Sequence, residues 1–267
     1  MENLLISVII PMYNAEKTIL KCLESIVYQL PVHEFEVVIV DDGSTDNGAK
    51  IVKNYIENNN FDINLIQQEN KGVSTARNRA IKAAKYDLIA LIDSDDIWLP
   101  NKLKHQLEVM QKYDLDFIGT LHNNMQLGFP YKIEQDIIKV SLHQLLIKMA
   151  PSTITSLFKK KLIEKAGYYD EKQRYAEDGN LWLRFSQMGG MGILNKNYAI
   201  AGDFKPLYGH SGLSGNLKEM YNGEIKSLKD IYKLEYINIF QLGLYYLYTT
   251  LKYYRRIIIV KLRKDDK

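Results

Sequence analysis

The chain has 267 residues, of which 46% are hydrophobic and 25% are charged, and its formal net charge is +3. This size and hydrophobic content allow one large core or two adjoining ones, and the nearly balanced charge excludes a disordered chain and a protein that coats nucleic acid. The single cysteine, Cys22, excludes an internal disulfide, and no spacing of cysteine and histidine indicates a zinc site.

The N-terminal segment does not have the pattern of a signal peptide. It carries Glu2 and no basic residue, and its apolar run stops at Pro11. A secretory leader begins with basic residues and continues into a longer apolar run. We therefore expect a cytoplasmic place of action.

Four short runs in the first hundred residues are almost entirely apolar, as expected of strands in a parallel sheet that is covered on both faces. Segments with helical periodicity separate them, with apolar residues from 19 to 30 on one face and further helices predicted at 46–56 and 74–85. This alternation predicts an α/β fold with an open, mostly parallel wound sheet and helices on both faces. The predicted strands are Leu5–Ile10, Phe35–Val40, Ile63–Gln67 and Asp87–Ile92.

The pattern after residue 100 is less regular. Residues 120–140 carry few signals and are predicted to form a loop, whereas residues from Asn216 onward are predicted to be helical nearly to the end. We therefore divide the chain into a domain of residues 1–215, with halves 1–100 and 101–215, and a helical C-terminal extension of residues 216–267. The other predicted elements are helices Pro100–Tyr113, Lys159–Ala166 and Asp178–Met188 and a strand Leu115–Gly119.

Three aspartates follow the fourth predicted strand, at positions 93, 95 and 96. Carboxylates this close repel one another, and a hard cation such as Mg²⁺ or Mn²⁺ relieves the repulsion while keeping coordination positions for phosphate oxygens. Asp is also favoured in turns and at helix N-termini that bind nothing. The pattern therefore allows both a metal–diphosphate site and an ordinary acidic turn.

Tyr13 and Asp42 follow the first two predicted strands. Because parallel strands end at the same edge of a sheet, ligands bind there, and we expect these side chains to lie close together. A carboxylate can accept a hydrogen bond from a base imide, and an aromatic ring can stack on the base, so the pair is consistent with a nucleoside pocket. A turn at Gly43 with Thr45 or Asp46 as helix N-cap explains the same residues without a ligand.

Three further positions carry groups that are useful in group transfer. Arg77 lies near the start of a predicted helix, where it can clamp a phosphate or form an ion pair. Glu177 and Asp178 begin another helix, where they can cap it or supply the carboxylate base that transfer to a hydroxyl needs. His210 lies in a glycine-rich loop, from which it can reach a metal or a diphosphate.

The C-terminal segment is basic and amphipathic. Residues 252–267 contain seven lysines and arginines and two aspartates, interleaved with aromatic and aliphatic side chains. The uncharged stretch 239–251 has thirteen residues, fewer than the ~20 needed to span a bilayer. This pattern predicts a tail that lies on an anionic membrane surface, or a packed helix with solvated lysines.

Taken in order along the chain, these motifs resemble those of the family 2 glycosyltransferases, the inverting group with a GT-A fold. The resemblance covers roughly residues 5–215, and its specificity comes from the order of the motifs. The matching stretches are Val8–Asn14, Val38–Asp46, Asn70–Asn78, Leu91–Pro100 and Glu177–Arg184.

The resemblance implies a donor site in residues 1–100. Asp42 would read the uracil of a UDP-sugar, Tyr13 would stack on it and Pro11 would shape that pocket. Arg77 would contribute to nucleotide binding, and Asp93 would contact the ribose or the donor.

The resemblance also implies the metal and catalytic residues. Asp95 would bind the Mn²⁺ or Mg²⁺ that bridges the diphosphate, Asp178 would be the general base and Glu177 its neighbour. His210 falls where the family often has a histidine in its closing loop, and we assign it to the metal site. The arginine that commonly precedes this histidine closely is absent from this chain.

The implied function is metal-dependent transfer of a sugar from an α-linked UDP-sugar to a hydroxyl of a glycan or a lipid-linked saccharide. Single displacement with a base on the opposite face of the sugar gives a β-glycoside, in cell-surface polysaccharide synthesis. The expected place is the cytoplasm, peripherally at the inner face of the cell membrane, and no nucleic acid is an expected partner.

Four other classes of protein fit this sequence less well. A phosphatase with an Asp-x-Asp nucleophile needs that motif after its first strand, where a dinucleotide oxidoreductase needs Gly-x-Gly-x-x-Gly and a nucleotidyltransferase also needs a glycine-rich loop. This chain has Pro11-Met12-Tyr13-Asn14 there. A catalytically inactive, membrane-associated nucleotide-sugar-binding or scaffold protein is the remaining alternative, and the intact Asp95 and Asp178 argue against it.

Overall fold

A computed structural model of the chain describes residues 5–29, 35–132, 136–204 and 212–265. It confirms the predicted α/β class, with a nine-stranded sheet whose first four strands are parallel. All residues of the first, second and fourth of these strands are buried, as continuous apolar runs predict. These strands are β1 (Ile6–Met12), β2 (Phe35–Asp42), β3 (Ile63–Gln68) and β4 (Leu88–Leu91).

The helices of this half lie on both faces of the sheet. One face packs side chains such as Val8 against the first two helices, and the other packs side chains such as Ile9 against the third. Neighbouring β1 residues point to opposite faces, as the two-residue period of a strand requires. The helices are α1 (Ile19–Val27), α2 (Gly48–Asn58) and α3 (Val73–Ala83).

The second half extends the sheet in the order β3-β2-β1-β4-β8-β6-β9-β5, and β7 pairs with β9. β8 is antiparallel to both of its neighbours, whereas β6 and β9 are parallel. The strands are β5 (Ile97–Trp98), β6 (Phe117–His122), β7 (Ile137–Lys139), β8 (Leu157–Lys159) and β9 (Met191–Ile200). The helices are α4 (Lys102–Lys112), α5 (Leu142–Ile147), α6 (Lys161–Ala166) and α7 (Glu177–Phe185).

Several of these elements differ from the prediction. The predicted loop 120–140 contains the end of β6 and all of β7, and α5, β5, β8 and β9 were not predicted. β5, β7 and β8 have two or three residues each, too few to show a period. The run Asn195-Lys196-Asn197 interrupts the apolar pattern of β9.

The predicted C-terminal helix is two helices, α8 (Leu217–Lys233) and α9 (Ile239–Asp265). Between them Glu235 has φ 60°, a left-handed conformation that a continuous α-helix cannot contain. Leu228 and Ile231 of α8 are buried in the same cluster as the α7 side chains. α8 therefore continues the core of the preceding residues, and the division of the chain at residue 215 stays a prediction.

α9 packs against α8 with one face. The rings of Tyr221 and Tyr253 stack with centroids 4.7 Å apart, and the Arg256 guanidinium lies 2.7 Å from the Glu224 carboxylate. Within the four described ranges, no helix is both long and apolar enough to cross a membrane. α9 thus has one face on the protein and the other directed outward.

Candidate functional site

The carboxyl ends of β1, β2 and β4 bring three polar segments to one edge of the sheet. β1 lies between β2 and β4, so the segment after β1 is adjacent to the segments after both neighbours. Pro11 is buried at the end of β1, and the side chain of Tyr13 is 52% exposed beyond it. The edge therefore presents an aromatic ring to solvent, and the predicted stacking of Tyr13 on a base stays a prediction.

Asp42 is buried at the end of β2, and the loop before α3 fixes its carboxylate. Its Oδ1 accepts hydrogen bonds from the Lys71 amide and the Gln68 side chain, at 2.8 and 2.7 Å. Its Oδ2 accepts one from the Gly72 amide at 2.8 Å. A carboxylate can accept about four hydrogen bonds. The three observed donors hold it in one orientation and leave capacity for a further N–H donor.

The loops after β1 and β2 are joined by hydrogen bonds. The backbone N–H of Asn14 donates to Ser44 Oγ at 2.9 Å, and the side-chain Oδ1 of Asn14 accepts from the backbone N–H of Thr45 at 2.8 Å. Asn14 has φ 50°, a region that Asn tolerates better than most residues. The adjacent Gly43 has φ 78°, and a Cβ there would lie 2.7 Å from the Asn70 nitrogen. These contacts fix Tyr13 close to the turn after Asp42.

Arg77 is buried between two carboxylates. Its Nη2 donates to Asp93 Oδ1 and its Nη1 donates to Glu177 Oε1, both at 2.8 Å. Burial works against the charge, but Asp93, Tyr169 and Glu177 together raise the pKa of Arg77 above its ordinary value. The guanidinium therefore stays charged and links the end of β4 to the start of α7.

The three aspartates after β4 have separate surroundings. The Asp96 amide donates to the Asp93 carbonyl at 3.1 Å, which closes a tight turn. The Asp93 carboxylate binds Arg77, the Asp96 carboxylate accepts from the Gly202 amide at 2.8 Å, and Asp95 is exposed. Arg77, a residue that the acidic pattern did not indicate, therefore neutralises Asp93.

A metal ion would have to use few protein ligands at this turn. In the parts of the chain that the structure describes, no three His, Cys, Asp or Glu side chains gather as metal ligands. Mg²⁺ and similar hard cations are commonly held by one or two carboxylates together with substrate phosphates and water. The exposed carboxylate of Asp95 fits that mode. His210 lies outside the described residues, and its assignment stays a prediction.

Asp178 lies in the first turn of α7 and is partly exposed. Its Oδ2 accepts a hydrogen bond from Thr153 Oγ1 at 2.7 Å, and its Oδ1 accepts one from the Gly179 amide at 2.7 Å. Thr153 belongs to a short 3-10 helix, Thr153–Thr155, in a stretch whose sequence has no legible pattern. The sequence interpretation did not include this residue, and no periodicity could have revealed it.

Glu177 is buried beside Asp178. Burial, followed by repulsion from Asp178, raises the pKa of Glu177 to about 7, although Arg77 acts in the opposite direction. The structure thus joins Arg77, Asp93 and Glu177 by ion pairs, and Asp178 follows Glu177 directly on α7. Tyr13 and Asp42 lie at the ends of the adjacent strands.

Comparisons with known proteins agree with this architecture. A family described as Glycosyl transferase family 2 matches residues 7–169, more than half of the chain. The chain is 30% identical over 200 residues to UDP-Glc:alpha-D-GlcNAc-diphosphoundecaprenol beta-1,3-glucosyltransferase WfgD of Escherichia coli, which covers 73% of the chain and 75% of WfgD. It is 28% identical over 204 residues to an uncharacterized glycosyltransferase of Rickettsia bellii, and the match spans 29% of that relative's length.

Solved structures share the fold. S. aureus TarS 1-349 in complex with UDP-GlcNAc is similar with a TM-score of 0.67 and 25% identity, over 85% of this chain and 66% of that one. A mannosyltransferase of Pyrobaculum calidifontis, solved with GDP-Man and Mn²⁺, gives a TM-score of 0.66 at 18% identity over 85% of this chain and 64% of that one. The second likeness concerns the fold alone.

Proposed function

Because the chain belongs to glycosyl transferase family 2, we propose that it moves a sugar from a UDP-sugar to a hydroxyl of a glycan or lipid-linked saccharide, with inversion. Its fold is the GT-A fold of that family. The observation that best supports the proposal is Arg77, which joins the acidic turn after β4 to the Glu177 carboxylate at the start of α7, next to Asp178. A donor site and a base are expected at those two places.

The donor would bind at the ends of β1 and β2. The remaining acceptor capacity of the Asp42 carboxylate suits the imide N–H of uracil, and the exposed ring of Tyr13 can stack on the base, with Pro11 beneath. WfgD is named for a UDP-glucose donor, and TarS was solved with UDP-GlcNAc. Both names support a uridine nucleotide.

Asp95 would hold Mn²⁺ or Mg²⁺ against the diphosphate. When bound, such a cation neutralises the negative charge that develops on the leaving diphosphate. Asp93 has one oxygen on Arg77, and its other oxygen can accept a hydrogen bond from the ribose or the donor sugar. Arg77, held by two carboxylates, orders this turn and adds positive charge beside it.

Asp178 would take the proton of the acceptor hydroxyl. Thr153 and the Gly179 amide hold its two oxygens, so the carboxylate is oriented before the acceptor arrives, which favours reaction. Attack from the face opposite the leaving group converts an α-linked donor into a β-glycoside. The name of WfgD states a β-1,3 product.

The experiment combines two variants with a matched control. Asp178→Asn should lower UDP release from UDP-glucose or UDP-GlcNAc by about 100-fold or more and leave UDP–Mn²⁺ affinity unchanged. Asp95→Ala should weaken Mn²⁺-dependent UDP binding, measured as thermal stabilisation by UDP with and without Mn²⁺. Asp114→Asn, at a fully exposed carboxylate, should change neither.

Each assignment has its own contrary result. Turnover retained in Asp178→Asn would remove it as the base, and wild-type metal dependence in Asp95→Ala would remove it as the metal ligand. If no nucleotide–metal pair stabilises the wild-type protein, the inactive scaffold is the better interpretation.

The reaction is proposed to take place at the cytoplasmic face of an anionic membrane, with α9 lying on the lipid surface. The outward face of α9 carries large exposed apolar side chains at intervals of three and four residues, which form one stripe. We call this stripe the apolar face of α9. Its members are Phe240, Leu244, Leu247, Leu251, Tyr254, Ile258 and Leu262.

The charges around this face favour lipid over a second copy of the chain. Arg255, Lys261 and Arg263 are exposed on α9, and the helix contains a single acidic residue, Asp265. A paired α9 would therefore offer these cations almost no counter-charge, whereas anionic headgroups would. The lipid-linked acceptor in the name of WfgD is consistent with such a surface.

A further inference from the structure

The backbone just before α7 has an unusual conformation. Ala176, the N-cap residue, has φ 55° and ψ 30°, a left-handed conformation that L-residues other than Gly, Asn and Asp seldom adopt. Such a residue keeps this conformation where its surroundings hold it. Because Glu177 and Asp178 follow directly, whatever holds residues 175–176 also sets the direction of both carboxylates.

The side chain of Gln173 contacts the backbone of residues 175–176. It is buried, and its Nε2 lies 3.1 Å from the Tyr175 carbonyl and 3.2 Å from the Ala176 carbonyl. The same nitrogen lies 3.0 Å from Ser227 Oγ and 3.3 Å from the Gly223 carbonyl of α8. An amide nitrogen carries two N–H donors. The two N–H groups of Gln173 are therefore shared among four acceptors, two in the loop and two in α8.

The oxygen of the same amide is also bound. Gln173 Oε1 accepts from Lys226 Nζ at 3.1 Å and from Asn180 Nδ2 at 3.2 Å. Lys226 in turn pairs with Asp170 and Asp230, at 2.6 and 2.7 Å. Because two donors face the oxygen, the amide has one favourable orientation, with its N–H groups directed at the backbone carbonyls.

α8 also approaches the loop by direct backbone contact. A Cβ added to Gly223 would lie 2.2 Å from the Tyr175 carbonyl oxygen, closer than any real contact, and a backbone atom cannot easily move away. Leu228 and Ile231 anchor α8 in the core. Residues 175–176 are thus held between the Gln173 amide and α8, and α8 cannot move away because its buried side chains fix it in the core.

We propose that Gln173 is a positioning residue for catalysis. It acts through the backbone of Tyr175 and Ala176, which it ties to α8, and thereby fixes the carboxylate of Asp178 toward the acceptor. The proposal rests on the proposed function of Asp178 as the base.

The test replaces the amide by an apolar side chain of similar length. Gln173→Met should lower kcat for UDP release by about tenfold to a hundredfold, because small displacements of a base have large kinetic effects, and leave KM for UDP-glucose or UDP-GlcNAc unchanged. Gln29→Met is the matched control, since the Gln29 amide is also buried and donates to the Ser25 and Leu99 carbonyls. It should leave kcat unchanged.

A second measurement does not need activity. Hydrogen exchange of the amides of residues 176–180 should be faster in Gln173→Met and unchanged in Gln29→Met. Gly223→Ala should have the same effect, whereas Gly243→Ala, where an added Cβ meets nothing within 4 Å, should not.

The outcomes separate the two proposals. Unchanged exchange in Gln173→Met, or an equal loss of kcat in both glutamine variants, would overturn the positioning role. Faster exchange in Gln173→Met and Gly223→Ala, together with a loss of kcat in Gln173→Met that Gln29→Met does not show, supports it. Faster exchange in a background where Asp178→Asn keeps its turnover would show that the segment is held as described but that Asp178 is not the base, which overturns the catalytic role of Gln173 through the failure of the proposed function.

Discussion

Glu177 experiences opposite influences on its ionisation. Arg77 favours the carboxylate form, but burial and the neighbouring Asp178 raise its pKa to about 7. An acid with a raised folded-state pKa stabilises the fold while it is protonated. This contribution is full below its unfolded value of 4.5 and is lost as the pH rises to about 7.

Glu177→Gln should therefore change how stability depends on pH. Between pH 4.5 and 7, the free energy of unfolding of the wild type should fall relative to that of Glu177→Gln by about 3 kcal/mol. Urea unfolding of both proteins across this range measures the difference. Glu57→Gln, at an exposed position on α2, is the control and should parallel the wild type. Parallel curves for Glu177→Gln would show that this carboxyl does not titrate differently on folding.

For single residues, the sequence predicted which residue types belong to the site better than it predicted their contacts. Asp42 and Asp178 were predicted as site residues because motifs in a fixed order mark them, and their roles stay predictions. An ion pair of Arg77 was one of the two alternatives, but its partners were not foreseen, because Glu177 is 100 residues away in sequence and a lone arginine carries no pattern. The hydroxyl of Thr153 lies in a single 3-10 turn, where there is no period to detect.

The two loops that follow β1 and β2 form one unit of structure through Asn14. Asn14→Ala and Asn14→Gly both remove the side-chain acceptor for the Thr45 amide. Both should weaken UDP binding about fivefold, since one hydrogen bond contributes about 1 kcal/mol. Asn14→Ala should lower the free energy of unfolding by about 1 kcal/mol more than Asn14→Gly does, because alanine resists a positive φ that glycine accepts.

UDP titration and urea unfolding measure these two effects separately. If both variants bind UDP as tightly as the wild type, the link between the loops does not shape the pocket. Equal loss of stability in both would show that the hydrogen bond, and not the backbone conformation, decides the stability of this turn.

The elements of the first hundred residues were predicted well because each buried parallel strand is an unbroken apolar run. β1 to β4 differ from the predicted strands by two residues or fewer at each end. Short strands such as β5 have no such signal. The break between α8 and α9 depends on the backbone conformation of Glu235, and a glutamate in the sequence does not predict a positive φ.

The membrane proposal concerns the whole molecule, because it determines which surface of the protein contacts lipid. Leu247→Ser combined with Leu251→Ser should reduce co-sedimentation with vesicles containing phosphatidylserine more than tenfold, since burying each leucine contributes about 1.5–3 kcal/mol. Arg255→Gln combined with Lys261→Gln should weaken binding less and reduce its salt dependence, because Arg263 remains. The wild type should bind neutral vesicles more weakly.

Unchanged sedimentation of the leucine variant would refute lipid binding by the apolar face of α9. A concentration-dependent dimer of the wild type that is lost in the leucine variant would identify a second copy as the occupant.

The structure also refines the role of the basic tail, because Lys252 and Arg256 pair with Glu224 of α8. Deleting residues 252–267 should still release the protein from vesicles, but part of that effect would come from lost packing.

The ion pairs of Arg77 have a consequence for biogenesis. Arg77 and Asp93 leave the ribosome early, whereas Glu177 is made a hundred residues after Arg77. The nascent sheet can form with a cation that has one of its two partners, and the later segment then finds its counter-charge already in place. A chain interrupted before α7 would lack Glu177 and Asp178, and Arg77 would then have Asp93 as its one remaining ion-pair partner among the described residues.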